Sequence, residues 1–317
     1  MSLQHIFRTV VLACNLVVGV QLHSVFLSAQ DSASELETQI AAKIDANQLD
    51  AALKLADLAV GRYPNSSQMQ QLLGVVQFKK GSNEEARTAF RRAIELDPGI
   101  AQNYYDLALV NLSEKQYARA VPSLEACLRL DPQNAEAHVL LGRAYHNLNQ
   151  TAPAIEQFEK AVAIEPRLPL AHYHLGYAYQ SQGDLKAALE EFKKESEYNP
   201  NFYDSYWLAG NIELRRGVPD AAAELFGKGV HLKPQAWQAH YGLGRALAMK
   251  KQWAEAETEL RKALEASGPE NVEVNYALAR LYQSMGRTAD AEREFQICRH
   301  LNAQRQRAGS GIAGQQQ

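Results

Sequence analysis

Apolar residues in this chain fall into short segments with helical spacing, and the segments come in pairs that repeat every 34 residues. Prolines mark one point of the period, at Pro64, Pro98, Pro132, Pro166, Pro200 and Pro234. Alanines keep the same interval at another point, at Ala52, Ala86, Ala120, Ala154, Ala188, Ala222 and Ala256, and Ala291 continues the series one residue late. Two amphipathic segments per period predict two helices per repeat, and therefore an all-helical chain of hairpins.

Small and bulky residues also recur at fixed points of the period. The small ones are Gly74, Ala108, Gly142, Gly176, Gly210, Gly244 and Ala279. The bulky ones follow most of the alanines by four residues, at Phe90, Leu124, Phe158, Phe192, Phe226, Leu260 and Phe295. We expect small residues where the backbones of two helices approach closely. Residues that tolerate positive φ recur between the two helices, where they end the first helix and turn the chain, at Asn47, Gly81, Asn149, Gly183, Gly217 and Gly286.

These markers together resemble the signature of the tetratricopeptide repeat family. The unit 135–168 shows it best, with Leu141, Gly142, Tyr145, Ala154, Phe158, Ala161 and Pro166. The resemblance covers eight units: 33–66, 67–100, 101–134, 135–168, 169–202, 203–236, 237–271 and 272–305. It implies an all-α fold, a right-handed superhelical solenoid of about eight helical hairpins, in which the first helices line a concave surface and the second helices form the outside.

Several positions depart from the period. The first unit has Gln39, Ile40 and Lys43 where the core residues of the repeat are expected, so we interpret it as a degenerate N-terminal cap. Gly268 replaces the repeating proline in a unit with one extra residue, and Pro122 is expected to distort a second helix slightly. Glu195 stands where a small core residue is expected, and should weaken packing unless it reaches solvent or a partner. The tail 306–317 has no apolar period and is predicted to be disordered.

The N-terminus is interpreted as a targeting segment outside the repeats. Arg8 precedes a mostly apolar stretch, 9–29, and a polar sequence follows. This order is typical of a secretory signal peptide at 1–29 with cleavage after Ala29, and predicts an extracytoplasmic protein, either periplasmic or secreted. Three alternatives stay open: an uncleaved membrane anchor formed by residues 9–29, a lipoprotein attached at Cys14, and a disordered cytosolic leader.

Composition narrows the function classes. Apolar residues make up 46% of the chain and charged residues 22%, and the net charge is −3. This balance is ordinary for a soluble folded protein, and it lacks the basic stripe of a nucleic-acid binder, so we expect no nucleic-acid partner. Three cysteines are too few, and odd in number, for a disulfide framework.

The candidate binding residues lie on the predicted concave face, at two points of the first helix. At the fifth position of the units stand Tyr105, Tyr173, Trp207, Tyr241 and Tyr276, and four residues later stand Arg143, Tyr177, Asn211, Arg245 and Arg280. We expect the four aromatics from Tyr173 to Tyr276 to stack as a ladder, with Trp207, Arg245 and Arg280 the most exposed. Tyrosine, tryptophan and arginine dominate binding hot spots. The alternative is that the aromatics mainly pack against neighbouring repeats.

No motif for catalysis or cofactor binding stands out in the sequence. His138, His172 and His240 recur at one repeat position, but on separate hairpins they are more simply packing residues than metal ligands. The residues that clamp a C-terminal carboxylate in chaperone-binding relatives are not matched. We therefore expect a non-catalytic exported scaffold or adaptor, without cofactor or metal, that binds an unidentified peptide or protein partner. The alternatives are a glycan-binding or cell-wall-binding protein and a self-associating structural component.

Overall fold

The structure is a computed structural model that describes residues 32–313, with side chains as far as residue 307. Every regular element in that range is a helix, and within each unit consecutive helices pack against each other as hairpins joined by short turns. This confirms the all-helical repeat fold predicted from the period. The chain divides after Gln150 into two compact units, each with its own apolar clusters. The targeting segment at 1–29 lies outside the described residues.

The first unit contains seven of the described helices. They are α1 (32–45), α2 (Leu49–Arg62), α3 (Ser67–Lys79), α4 (Asn83–Leu96), α5 (Ala101–Ser113), α6 (Tyr117–Leu130) and α7 (Ala135–Asn147). The predicted cap hairpin is anchored by Leu36 and Ile40, which are buried against Ala52 and Ala56 of α2, while Gln39 is exposed. Pro122 lies inside α6, which continues through it to Leu130.

The second unit contains the remaining nine described helices. They are α8 (Thr151–Ile164), α9 (Ala171–Gln182), α10 (Leu185–Tyr198), α11 (Tyr203–Arg215), α12 (Pro219–Leu232), α13 (Trp237–Met249), α14 (Trp253–Ser267), α15 (Val272–Ser284) and α16 (Thr288–Ala313). No helix between residues 32 and 313 is both long enough and apolar enough to cross a membrane.

The small and bulky repeat positions meet inside four of the hairpins, where Gly74, Gly176, Gly210 and Gly244 face Phe90, Phe192, Phe226 and Leu260. A Cβ atom added to Gly176 would lie 2.9 Å from the ring of Phe192 and 3.1 Å from the carbonyl oxygen of Ala188. The same substitution at Gly244 would bring the Cβ to 2.7 Å from Cγ of Leu260. The glycine therefore does more than allow the two backbones to approach closely. It also lets the bulky side chain of the second helix lie directly against the first helix. Glycine leaves room for that side chain.

The predicted turn residues have the expected backbone conformation. Asn47, Asn149 and the four glycines at 81, 183, 217 and 286 all have positive φ. Two lysines, Lys115 and Lys251, occupy the equivalent turns with φ of 58° and 61°. Sequence reasoning missed them because lysine has no special preference for this region, and its cost there is only about 1–2 kcal/mol.

Glu195 is buried but not unpartnered. Its carboxylate accepts hydrogen bonds from the backbone N–H of Leu170 at 3.1 Å and of Tyr173 at 3.2 Å, at the N-terminus of α9. Leu170 itself has a φ of 66°, in the left-handed region. Glu195 therefore takes the place of an N-capping side chain, which supplies the partner that the sequence left open.

The end of the chain differs from the sequence expectation. Residues 306–313, expected to be disordered, continue α16, which is 26 residues long. The apolar period stops there, but alanine, glutamine and arginine in 303–308 are good helix formers, so the helix can extend beyond its packed part. The last four residues, 314–317, lie outside the described residues.

Candidate functional site

The predicted first-helix residues of the second unit differ widely in exposure. Tyr173, Trp207 and Tyr241 are mostly covered by neighbouring side chains, whereas Tyr276 is 52% exposed and Tyr177 is 44% exposed. Arg280 is exposed and Arg245 is half-buried. The expectation that Trp207 would be among the most exposed residues is therefore wrong. The aromatic surface of this face comes mainly from the two tyrosines at Tyr177 and Tyr276.

The predicted ladder of stacked rings does not form among the described residues. Tyr173 meets Phe202 edge-on, with ring centroids 5.0 Å apart, and Tyr276 meets Phe295 edge-on at 5.8 Å. Trp207 packs against the apolar clusters of two successive hairpins. Neighbouring helix axes are about 8–10 Å apart, whereas rings in contact are about 4.5–7 Å apart. The rings therefore fill spaces between helices and do not stack on one another.

Four predicted site residues meet in one groove between α13 and α15. Tyr241 and Arg245 contribute from α13, and Tyr276 and Arg280 contribute from α15. The groove encloses about 560 Å³. Its remaining lining is mostly apolar, from Ala248, Met249, Trp253, Leu260, Ala277 and Leu281. The repeat brings these first helices side by side, so the two positions that recur in sequence become neighbours in space.

The lining of the groove carries two arginines and no Asp or Glu, although the charge of Glu273 reaches Tyr241. The guanidinium of Arg245 lies over the ring of Tyr241, 5.2 Å from its centroid, and Nη1 of Arg280 donates to Oε1 of Gln283 at 2.9 Å. Among residues 32–307, neither arginine has a carboxylate within 4.0 Å, and no Asp or Glu is among the lining residues. Burial raises the pKa of Tyr241 despite the opposing charge of Arg245, so its hydroxyl stays protonated.

Nearby arginines outside the groove are arranged differently. Arg261 and Arg287 share the carboxylate of Glu257, at 3.0 Å and 2.7 Å. These contacts hold the end of the second unit together and satisfy both cations internally. Arg245 and Arg280 have no such ion pair among the described residues, so both guanidinium groups are available to a carboxylate of a ligand.

The other predicted site residues lie apart from this groove. The hydroxyl of Tyr105 donates to Glu136 at 3.0 Å, and Arg143 is exposed on α7, both in the first unit. The side-chain amide of Asn211 donates to the carbonyl of Trp207 at 2.7 Å, so it serves its own helix. Sequence reasoning missed Met249 and Trp253, which lie at the turn between α13 and α14. A large apolar residue beside a turn was the available signal.

The recurring histidines are structural in two of the repeats. Nδ1 of His172 lies 2.5 Å from Glu191 and Nε2 lies 3.0 Å from the carbonyl oxygen of Pro166. His240 repeats the arrangement with Glu259 at 2.6 Å and Pro234 at 3.0 Å. Within the described part of the chain, no group of three or more His, Cys, Asp or Glu side chains could hold a metal ion.

Comparison with known sequence families agrees with the repeat pattern. Models described as tetratricopeptide repeat match residues 39–99, 173–232 and 208–272, which together span about half of the chain, and a further one matches 111–158. A model described as TPR repeat matches 142–183. None of the curated proteins matches this chain.

Several solved structures resemble the chain. YrrB, described as a TPR protein with an unusual peptide-binding site, is 26% identical over 60% of this chain and 97% of its own, with a TM-score of 0.55. MamA from Desulfovibrio magneticus RS-1 is 28% identical over 53% of this chain and 95% of its own, with a TM-score of 0.50. A TPR repeat-containing protein from Cytophaga hutchinsonii, 17% identical over 75% of this chain and 98% of its own, shares the fold with a TM-score of 0.62.

Proposed function

This chain belongs to the tetratricopeptide repeat family, and from that premise we propose that it is a non-catalytic scaffold whose first-helix face binds a peptide or a segment of a partner protein. The binding site in this proposal is the groove between α13 and α15. Its occupant is held by Tyr241, Arg245, Tyr276 and Arg280.

One observation carries the proposal: two arginines without counter-ions stand beside exposed apolar side chains in a single groove. Tyr276 and Met249 are 52% and 49% exposed, although both lie at a wall of the groove. Aromatic and arginine side chains clustered in a concave site are the residue types that contribute most to binding energy. The groove brings both residue types together at one place, which single exposed side chains elsewhere, such as Tyr198, do not.

The resemblance to YrrB supports a peptide as the occupant. That protein is described as having a peptide-binding site, and it shares the repeat fold at 26% identity. Helical repeats display residues of successive first helices along one surface, which suits an extended segment or a partner helix.

Site-specific photo-crosslinking in the producing cells tests this proposal. A photo-reactive phenylalanine analogue replaces Tyr276 in one variant and Tyr198 in another. Tyr198 is a matched control because it is 42% exposed but belongs to α10, a second helix. We expect a crosslinked peptide or protein, identified by mass spectrometry, from position 276 and none from position 198. Equal crosslinking at both positions, or none at 276, would contradict the proposal.

We also propose that the chain is exported, on the basis of its N-terminal sequence. Arg8 and the apolar stretch 9–29 are typical of a signal peptide, and the mature chain would then begin at Gln30. The partner would accordingly be a peptide or protein outside the cytoplasm. Membrane attachment in this proposal is restricted to residues 9–29, in the case that they are retained.

A further inference from the structure

We propose that the groove between α13 and α15 selects segments in which a carboxylate stands next to a bulky apolar side chain. This inference rests on the proposed function and names the chemical class of its ligand. The carboxylate pairs with Arg245 and Arg280, and the apolar side chain covers Met249 and Tyr276.

The charges in the groove favour a carboxylate as ligand. Two guanidinium groups face one cavity that has no acidic residue in its lining, and neither has a carboxylate within 4.0 Å among residues 32–307. The two guanidinium groups are like charges on neighbouring helices that line the same groove, so they repel each other. A carboxylate relieves this repulsion and accepts hydrogen bonds from the guanidinium groups, which are the strong charge-assisted kind.

The position in the repeat shows why this groove differs from its neighbours. The residues at the same point of the first helix, from the third unit to the last, are Leu109, Arg143, Tyr177, Asn211, Arg245 and Arg280. Of these six positions, only Arg245 on α13 and Arg280 on α15 are arginines in two successive repeats. The face formed by α9 and α11 offers Tyr177 and Asn211 instead, so it lacks a pair of cations for an acidic ligand.

The case for an apolar neighbour comes from the rest of the lining. Met249 and Tyr276 are about half exposed, while Leu260 below them is buried and Trp253 is half-buried. Covering these side chains removes apolar surface from water, which is favourable in proportion to the area covered. An acid alone would leave this surface exposed, and an apolar residue alone would leave both cations unpaired.

The geometry disfavours a sugar as the occupant. A sugar ring stacks on the free face of an aromatic side chain, and the guanidinium of Arg245 already covers one face of Tyr241. The ring of Tyr276 is engaged by Phe295 in an edge-to-face contact. Neutral sugars also leave the charge of two arginines uncompensated. Acidic peptide segments satisfy both the charge and the apolar surface.

Selection from a random peptide library tests the ligand class. The library is displayed on phage and panned on the purified chain, and enriched peptides are then synthesised for fluorescence anisotropy. The variants are Arg245→Gln/Arg280→Gln, which removes both charges, and Arg143→Gln, which removes an exposed arginine from the same repeat position in the first unit. Circular dichroism and urea unfolding establish that all three chains are equally folded.

We expect enriched peptides to share Asp or Glu beside Phe, Leu, Trp or Met. Their affinity should fall by at least about tenfold in the double variant, since hydrogen bonds to charged groups contribute that much, and should be unchanged in Arg143→Gln. Enriched peptides that lack Asp and Glu would overturn the proposal of an acidic ligand. So would enriched peptides that bind the double variant as tightly as the original chain. If such peptides still lose affinity in Tyr276→Ala, peptide binding in the groove stands. If no peptide is enriched and position 276 gives no crosslink, the proposed function fails as well.

Discussion

At the scale of single residues, Glu195 shows how a departure from the repeat is accommodated. Its carboxylate lies almost completely buried at a position that is alanine in most other repeats, yet it accepts two backbone N–H groups at the N-terminus of α9. A helix N-terminus favours negative charge, and its first N–H groups need acceptors. The sequence indicated the problem but not its solution, because the donors are backbone groups of a distant turn.

Replacing Glu195 by alanine is expected to destabilise the chain. The substitution leaves the N–H groups of Leu170 and Tyr173 without their acceptor, at a cost of about 1–3 kcal/mol. Glu197→Ala is the matched control, since Glu197 is exposed on the same helix. Urea unfolding followed by circular dichroism measures both. Equal loss in the two variants would mean that the buried carboxylate does not stabilise α9.

A second residue-scale prediction concerns the glycines that face bulky side chains. Gly176→Ala places a methyl group 2.9 Å from the Phe192 ring, so we expect a loss of about 1–3 kcal/mol from overpacking. Gly227→Ala is the control, because Gly227 lies inside α12 with no atom near its would-be Cβ. There we expect a gain of up to about 1 kcal/mol from helix propensity. Thermal and urea unfolding of both variants provide the comparison, and a stabilised Gly176→Ala chain would refute the packing argument.

At the scale of the hairpin, two histidine–glutamate pairs join a first helix to its second helix. His172 and Glu191 link α9 to α10, and His240 and Glu259 link α13 to α14. The other ring nitrogen of each histidine lies 3.0 Å from a backbone carbonyl oxygen, so each ring is held at both of its nitrogens. In both pairs the glutamate follows the histidine by 19 residues, a regularity that the sequence carries. Sequence reasoning recorded only the recurring histidines and missed their partners.

These pairs predict how stability responds to acid. Burial opposes ionisation of Glu191, but His172 and Lys194 outweigh it and hold the pKa of Glu191 below its ordinary value of 4.5. The same balance, with Lys262 and His240, lowers the pKa of Glu259. A lowered folded pKa contributes stability that is fully present above the ordinary value and is lost as the pH falls through the folded one.

We therefore expect Glu191→Gln/Glu259→Gln to be less stable at neutral pH and to lose less stability on acidification. The test is the urea midpoint of unfolding, measured at a series of pH values from neutral into the acidic range where stability falls. Glu190→Gln/Glu265→Gln removes two exposed carboxylates from the same second helices and serves as the control. Parallel acid limbs for the original chain and the Glu191/Glu259 variant would rule out these pairs as a source of acid sensitivity.

At the scale of the whole molecule, the period predicted the helices far better than the site. Side-chain size at the repeat positions, with Gly176 opposite Phe192, constrains every hairpin in the same way, so repetition amplifies a weak local signal. The site depends on side-chain directions that no period encodes. Tyr173 and Trp207 share the repeat position of Tyr276, yet they wedge into the core, whereas Arg245 and Arg280 do line a groove as expected.

Export is a prediction for the whole chain that its mass can decide. Cleavage after Ala29 gives a mature chain that begins at Gln30, which intact-mass spectrometry of the extracytoplasmic fraction would detect. An uncleaved chain in the membrane fraction would favour an anchor at residues 9–29. A chain that begins at a lipid-modified Cys14 would favour the lipoprotein, and an uncleaved soluble chain in the cytoplasm would contradict export.

The central claim is that the groove between α13 and α15 is where the partner binds. Hydrogen–deuterium exchange of the complete chain, with and without a crosslinked or library-selected ligand, tests this claim without altering any residue. The account predicts slower exchange in Trp237–Met249 and Val272–Ser284, with little change in the second helices α10 and α12. Protection confined to the first unit or to those second helices, or the absence of any protection under saturating ligand, would contradict it.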